Sequence, residues 1–85
     1  MEEITKTILI ADDDRDYLEQ MKFHVEKFGF KTITANNQKE CEEKIETEDF
    51  DMAILDLMME NDDSGFILSY KLKKKYPNKP VMLAS

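Results

Sequence analysis

The chain has 85 residues, enough for a single folded domain over residues 1–85 that buries roughly 60 to 65% of its unfolded surface. Nineteen acidic against twelve basic residues give a formal net charge of −7, which disfavours binding to nucleic acid or an anionic membrane and favours a cationic ligand or partner. A single cysteine, Cys41, excludes an internal disulfide, and neither a membrane span nor a signal peptide is present, so we expect a cytoplasmic protein.

The N-terminal third predicts a strand followed by a helix. Thr7–Ala11 is a continuous Ile-rich run, typical of a strand covered on both faces of a parallel sheet. Beyond the acidic stretch "DDD", apolar residues recur every three or four positions from Leu18 to Phe28. Gly29 then provides the expected helix terminator.

The middle of the chain predicts a second strand and a more polar second helix. The strand is "FKTITA", which is rich in residues that favour β-structure. Asn36 or Asn37 can cap the helix that follows, and the spacing of Cys41 and Ile45 puts both on its inner face.

The remaining sequence predicts strand, loop, helix and strand. "FDMAILDL" is apolar until it meets Asp56, and "MENDDSG" reads as a polar loop. A third helix begins near Phe66 and ends in "KKKY" before Pro77, with its basic last turn complementing the helix dipole. "PVMLAS" is a fourth apolar strand that finishes on Ser85.

The alternation of strands and helices predicts an open α/β sheet of parallel strands with helices on both faces. Ligands of such sheets bind outside the carboxyl ends of the strands, where the strand order changes direction. Asp12 and Asp13 follow the first strand, Asp56 ends the third and Ser85 ends the fourth. We therefore expect these four side chains to converge.

The acidic stretch Asp12 to Asp14 admits two readings, a solvated turn that caps the next helix or a metal site. Asp14 fits the first reading, because it stands directly before the helix. Asp56 favours the second, because a carboxylate at the end of an apolar strand is desolvated unless it is paired. Hard carboxylate oxygens on two strand ends suit Mg²⁺.

Other site classes fail on residue type or spacing. An EF-hand beginning at Asp12 requires a glycine where Tyr17 stands and a glutamate where Phe23 stands. Two glycines and no Walker or GxGxxG sequence exclude a nucleotide-phosphate loop. One histidine, His24, and one cysteine disfavour a zinc site.

The sequence resembles a response-regulator receiver domain of two-component signalling. "ILIADDD" resembles the first strand of that family with its acidic pair, and "AILDLMM" resembles the third strand with its phospho-accepting aspartate. "KPVMLAS" resembles the fourth strand, which ends in Thr or Ser. The order and spacing of these segments match over nearly the whole chain.

The resemblance implies a flavodoxin-like fold and a role for each polar residue. Asp56 would accept a phosphoryl group from a sensor histidine kinase or a phosphotransfer protein. Asp13 would bind Mg²⁺ directly and Asp12 mainly through water, with Asp56 and the backbone carbonyl of Met58 as further ligands. The Ser85 hydroxyl would contact a phosphoryl oxygen.

Two departures from the family pattern stand out. Glu60 replaces the usual proline of the loop, and the loop glycine, Gly65, comes one residue late. Family domains also continue through a fourth helix, a fifth strand that ends in a phosphoryl-binding lysine and a fifth helix, whereas the sequence stops at Ser85. Lys79 and the "KKK" run lie at the wrong ends of their elements to replace that lysine. We therefore expect strand order 2-1-3-4 without the last strand and two helices, and possible self-association through strand four.

Two rival functions remain open. The first is a receiver-like interaction module that binds a kinase through helix one without productive phosphotransfer or switching. The second is a hydrolase with an aspartate nucleophile, which is disfavoured because Met58 stands where those enzymes place a second acid.

Overall fold

The computed structural model describes residues 5–56 and 64–84. Within them, four strands and three helices alternate along the chain. Their bounds are β1 Thr7–Ala11, α1 Arg15–Lys27, β2 Lys31–Ala35, α2 Gln38–Thr47, β3 Met52–Asp56, α3 Ser64–Lys75 and β4 Val81–Ala84. The strands form one parallel sheet in the order β2-β1-β3-β4, which confirms the predicted flavodoxin-like topology.

The ends of α1 and α2 are set by the residues expected to set them. Asp14 caps α1, because its Oδ1 accepts hydrogen bonds from the backbone N–H groups of Asp16 at 3.0 Å and Tyr17 at 3.2 Å. Gly29 follows α1 with a φ of 95°, a left-handed conformation that favours glycine. Asn37, and not Asn36, caps α2, since its Oδ1 accepts from the N–H of Glu40 at 2.7 Å.

The larger part of the core lies between the sheet and the helices α2 and α3. Phe50, Leu68, Leu72 and Cys41 are almost completely buried there, against alternate residues of the strands. Cys41 is a small buried apolar residue, as its position on α2 predicts. Burial raises the pKa of its thiol to about 12, with the neighbouring carboxylates as a smaller cause, so the thiol stays protonated at neutral pH.

The opposite face of the sheet carries a smaller core. Leu18 of α1 is buried there with Ile8 and Ile10 of β1, and half-buried apolar residues pack around them. Those surrounding residues are Met21, Val25, Met52 and Ile54. The two faces of the sheet are therefore unequally covered among the described residues.

Strand β4 lies at the edge of the sheet, and part of its apolar surface is exposed. Its register with β3 pairs Ala53 with Val81 and Asp56 with Ala84. Met82 is 52% exposed and Leu83 is 39% exposed, although both are apolar. An edge strand with exposed apolar residues can pair with another strand.

Lys79 lies at the amino end of the sheet, as its sequence position predicts. Its Nζ donates a hydrogen bond to the carbonyl oxygen of Phe50, just before β3. The same nitrogen lies 4.5 Å from the ring centroid of Phe50 and 4.2 Å from that of Tyr76. Because Asp56 is at the other end of β3, Lys79 has a structural role away from Asp56.

Among the described residues, none of the helices is both long enough and apolar enough to cross a membrane.

Candidate functional site

Three of the predicted site residues lie close together at the carboxyl ends of the parallel strands. Asp12 directly follows β1, Asp56 is the last residue of β3, and these two strands are parallel neighbours. One carboxylate oxygen from each of Asp12, Asp13 and Asp56 lies within 4.8 Å of the others. Asp12 and Asp56 are half-buried, whereas Asp13 is exposed. The side chains thus form a compact group of carboxylate oxygens that could hold a metal ion.

Backbone hydrogen bonds fix the turn that carries Asp12. Its N–H donates to the carbonyl oxygen of Ala35 at 3.0 Å, which ties the turn to the end of β2. Its side-chain Oδ1 accepts from the N–H of Asp14 at 2.9 Å. These two hydrogen bonds fix the position of the Asp12 carboxylate at the carboxyl end of β1.

Consecutive aspartates therefore have different positions in the structure. Asp14 uses its Oδ1 to cap α1, while Asp12 and Asp13 approach Asp56. The structure therefore confirms the capping interpretation for Asp14, and the positions of Asp12 and Asp13 are compatible with a divalent metal site.

The electrostatics of the group favour a cation. Burial raises the pKa of Asp12 above its ordinary value, and the negative charges of Asp56, Asp13 and Asp14 raise it further. The hydrogen bond from the Asp14 N–H acts in the opposite direction. A divalent cation would remove the mutual repulsion of these carboxylates.

A cavity of about 260 Å³ opens beside the acids. Its lining consists of Asp12, Asp14, Tyr17, Asp56 and Ala84. Sequence reasoning did not select Tyr17 as a site residue. The available signal was its place in the first turn of α1, because helical side chains lean toward the N-terminus and hence here toward the sheet edge.

A second group of polar residues lies next to the acidic group, between the β2–α2 turn and the start of α1. The backbone N–H of Asn36 donates to Glu40 Oε1 at 2.7 Å. With its side-chain oxygen oriented toward Arg15, Asn36 accepts from Arg15 Nε at 2.9 Å. These contacts join the start of α1 to the β2–α2 turn, which supports the backbone that carries Asp12. Sequence reasoning considered Asn36 only as a cap and did not assign Arg15 a role.

Two predicted site residues, Met58 and Ser85, lie outside the described residues, as does the loop position Glu60. Ala84, which precedes Ser85, lies opposite Asp56 in the pairing of β4 with β3.

Comparison with known proteins gives a consistent family. The model of the response regulator receiver domain family matches residues 8–85. The response regulator GtcR of Aneurinibacillus migulanus is 35% identical over 96% of the chain, but the match covers 33% of GtcR. The chain spans about a third of the length of the curated relatives it matches first.

Solved structures support the same conclusion. A CheY-like receiver domain protein from Methanospirillum hungatei has a TM-score of 0.87 and 32% identity, covering 96% of the chain and 68% of that protein. Response regulator TrrA of Thermotoga maritima, solved in complex with Mg²⁺ and BeF, has a TM-score of 0.86 and 29% identity, covering 93% of the chain and 68% of TrrA. TrrA has also been solved with the histidine kinase ThkA, where the TM-score is 0.83 and the match covers 93% of the chain and 67% of TrrA.

The fold and the group of three aspartates at the carboxyl ends of β1 and β3 define a receiver-type α/β protein. The chain belongs to the response regulator receiver domain family of two-component systems.

Proposed function

We propose that the chain takes a phosphoryl group from a histidine kinase or a phosphotransfer protein onto Asp56. The observation that carries this proposal is the approach of the Asp12, Asp13 and Asp56 carboxylates to within 4.8 Å of one another. Asp56 stands at the end of a strand and beside a cavity, so a phosphoryl group can reach its carboxylate from outside the sheet.

The donor set suits Mg²⁺. The carboxylates are hard oxygen ligands, they repel one another, and Asp13 leaves the group accessible from solvent. Asp13 and Asp56 would hold the ion directly and Asp12 mainly through water, with the backbone carbonyl of Met58 as a further ligand. When bound, the ion supplies positive charge that offsets the crowded negative charge of the carboxylates and the phosphoryl group.

In the transfer, a carboxylate oxygen of Asp56 forms a bond to phosphorus. The bond from phosphorus to the histidine nitrogen of the donor breaks, and its electron pair remains on that nitrogen. Asp12 and Asp13 would hold the ion beside the reacting carboxylate, and the hydroxyl of Ser85 would donate to a phosphoryl oxygen. The added charge of about −1.5 to −2 then gives the domain a second electrostatic state for signalling.

We also propose a sensor histidine kinase as partner, a cytoplasmic location and self-association through β4. The complex of TrrA with a histidine kinase supports the first, and the exposed apolar edge of β4 supports the last. No direct contact with nucleic acid or membrane is part of this proposal, since the chain carries a net charge of −7.

The variant Asp56→Asn tests the proposal. Asparagine removes the nucleophilic oxygen and one negative charge, so incubation with acetyl phosphate should leave no phosphoryl group on the protein. Asp49→Asn is the matched control, because the exposed Asp49 lies before β3 and at the opposite end of the sheet. Intact-protein mass spectrometry should detect the added phosphoryl group in the parent and in Asp49→Asn, and not in Asp56→Asn. A phosphoryl group at the parent level on Asp56→Asn would contradict the assignment.

Beryllofluoride separates phosphotransfer from the rival of a kinase-binding module without a competent site. A competent acceptor takes up beryllofluoride together with Mg²⁺ at Asp56. A parent chain that binds a histidine kinase but does not take up this phosphoryl mimic would support the rival.

A further inference from the structure

Tyr17 forms one wall of the cavity beside Asp56. It is the only aromatic residue in the described lining, where its neighbours are three aspartates and the small Ala84. Its backbone N–H is held by the Asp14 cap at 3.2 Å, which fixes the start of the Tyr17 side chain relative to the acidic turn. Tyr17 is 43% exposed, so it lies at the surface beside the cavity and is not part of the core.

We infer that Tyr17 shields the phosphorylated form of Asp56 from water and so sets how long the phosphoryl group persists. The inference rests on the proposed phosphorylation of Asp56 and assigns a regulatory role at that same site. Tyr17 does not react, and it acts by occupying space beside the reacting atoms.

The reaction that it limits is hydrolysis of the aspartyl phosphate. A water oxygen forms a bond to phosphorus, and the bond from phosphorus to the Asp56 oxygen breaks with its electron pair remaining on the carboxylate. A proton passes to solvent and inorganic phosphate leaves. The attacking water must approach phosphorus in line with the breaking bond. A large planar side chain at the cavity wall reduces the number of water positions that satisfy this geometry.

The inference assigns the shielding to the bulk of the ring, which occupies space at the cavity wall, and gives the phenol hydroxyl no part in it. Phenylalanine at position 17 should preserve the wall, whereas alanine should open it.

Three variants test the inference. Tyr17→Ala should raise the rate constant of phosphate loss by about threefold to tenfold, since a tenfold change corresponds to about 1.4 kcal/mol in the barrier. Tyr17→Phe should stay within about twofold of the parent. Phe23→Ala is the matched control, because Phe23 is an aromatic residue of α1 with 64% exposure that does not line the cavity. The proteins are phosphorylated with acetyl phosphate, freed of donor, and followed by release of inorganic phosphate.

A binding measurement provides a readout that does not depend on turnover. On addition of Mg²⁺ and beryllofluoride to the parent, the ring NMR signals of Tyr17 should shift while those of Tyr70, an exposed tyrosine of α3, should not. Magnesium affinity should be equal in the parent, Tyr17→Ala and Tyr17→Phe, because Tyr17 carries no ligand charge.

The outcomes distinguish this inference from the proposed function. A parent that accepts no phosphoryl group contradicts the proposed function and the inference together. A phosphorylated parent whose rate of loss is unchanged in Tyr17→Ala contradicts the role of Tyr17 alone. An equal acceleration in Tyr17→Phe and Tyr17→Ala would assign the effect to the hydroxyl and overturn the shielding argument. Faster phosphate loss in Phe23→Ala would indicate that the effect comes from a general destabilisation of α1. That result would also overturn the shielding argument.

Discussion

Neighbouring aspartates on one turn differ in what their side chains contact. Asp14 satisfies two free N–H groups at the start of α1, and Asp12 and Asp13 approach a carboxylate from another strand. The sequence indicated this division, because only Asp14 directly precedes the helical pattern. The 4.8 Å approach could not be predicted from sequence, since it depends on the register of β1 with β3 and on the hydrogen bonds that hold the turn.

Alanine substitutions at Asp13 and Asp14 should separate these roles. Asp13→Ala should weaken Mg²⁺ binding strongly, because it removes one of three clustered carboxylates. Asp14→Ala should affect Mg²⁺ binding far less but lower the free energy of unfolding by about 1 kcal/mol through loss of the α1 cap. Magnesium titration and chemical denaturation measure the two effects. Equal effects of the two substitutions on Mg²⁺ affinity would contradict the division of roles between Asp13 and Asp14.

The raised pKa of Asp12 predicts a pH-dependent instability in the absence of Mg²⁺. The folded chain holds the Asp12 proton more tightly than the unfolded chain does, so this residue favours folding below the ordinary pKa of 3.8. That contribution is lost as the pH rises through the raised pKa of the folded state. Asp12→Asn cannot ionise and keeps a side-chain oxygen for the Asp14 N–H, which Asp12 Oδ1 binds at 2.9 Å.

We expect Asp12→Asn to be more stable than the parent at neutral pH without divalent cations, by up to about 1 kcal/mol. The difference should vanish below pH 3.8. Saturating Mg²⁺ should reverse the order, because the parent binds the ion more tightly and binding stabilises the folded state. Urea denaturation across this pH range provides the measurement. A variant less stable than the parent at neutral pH without Mg²⁺ would contradict the repulsion argument.

At the scale of the elements, the order and the approximate bounds of the strands and helices could be predicted from the sequence. Apolar runs, caps and Gly29 located the strands and helices, because each signal acts within a few residues. The burial of α3 was less predictable. Phe66 and Tyr70 are 58% and 67% exposed, while Leu68 and Leu72 fill the core, since the orientation of a helix depends on the partners it packs against.

Strand β4 exposes backbone groups as well as apolar side chains. The N–H of Ala53 donates to the carbonyl oxygen of Pro80 at 3.1 Å. Alternate residues of a parallel strand direct their backbone groups to the same neighbour. The N–H and C=O groups of Val81 and Leu83 therefore point away from β3, toward the open edge. In an antiparallel pair of two β4 strands centred on Met82, Val81 of one copy would lie opposite Leu83 of the other.

We predict that the 85-residue chain self-associates through this edge. Leu83→Pro and Leu83→Lys should lower the association, because proline removes an outward N–H that β3 does not use and lysine adds charge at the contact. Leu83→Val is the control, since it keeps both the N–H group and a residue that favours strands. Light scattering at several concentrations measures the association. A parent that stays monomeric throughout and melts cooperatively would contradict the prediction.

At the scale of the whole molecule, the two faces of the sheet that carries the site have cores of different size. The α2 and α3 side has the large core that fixes β1 and β3, and the α1 side has a smaller one under Leu18. The family and topology could be predicted because alternating elements and three short segments define them. The predicted roles of Met58 and Ser85 concern positions outside the described residues.

The central claim, that Asp56 is the phosphoryl acceptor, is tested most directly by locating the modified residue chemically. Borohydride reduces an aspartyl phosphate to homoserine, and peptide mass spectrometry then finds the changed position. After incubation with acetyl phosphate and Mg²⁺, the account predicts homoserine at position 56 and unchanged aspartate at positions 12, 13 and 14. Homoserine at one of those other positions, with Asp56 unmodified, would contradict it.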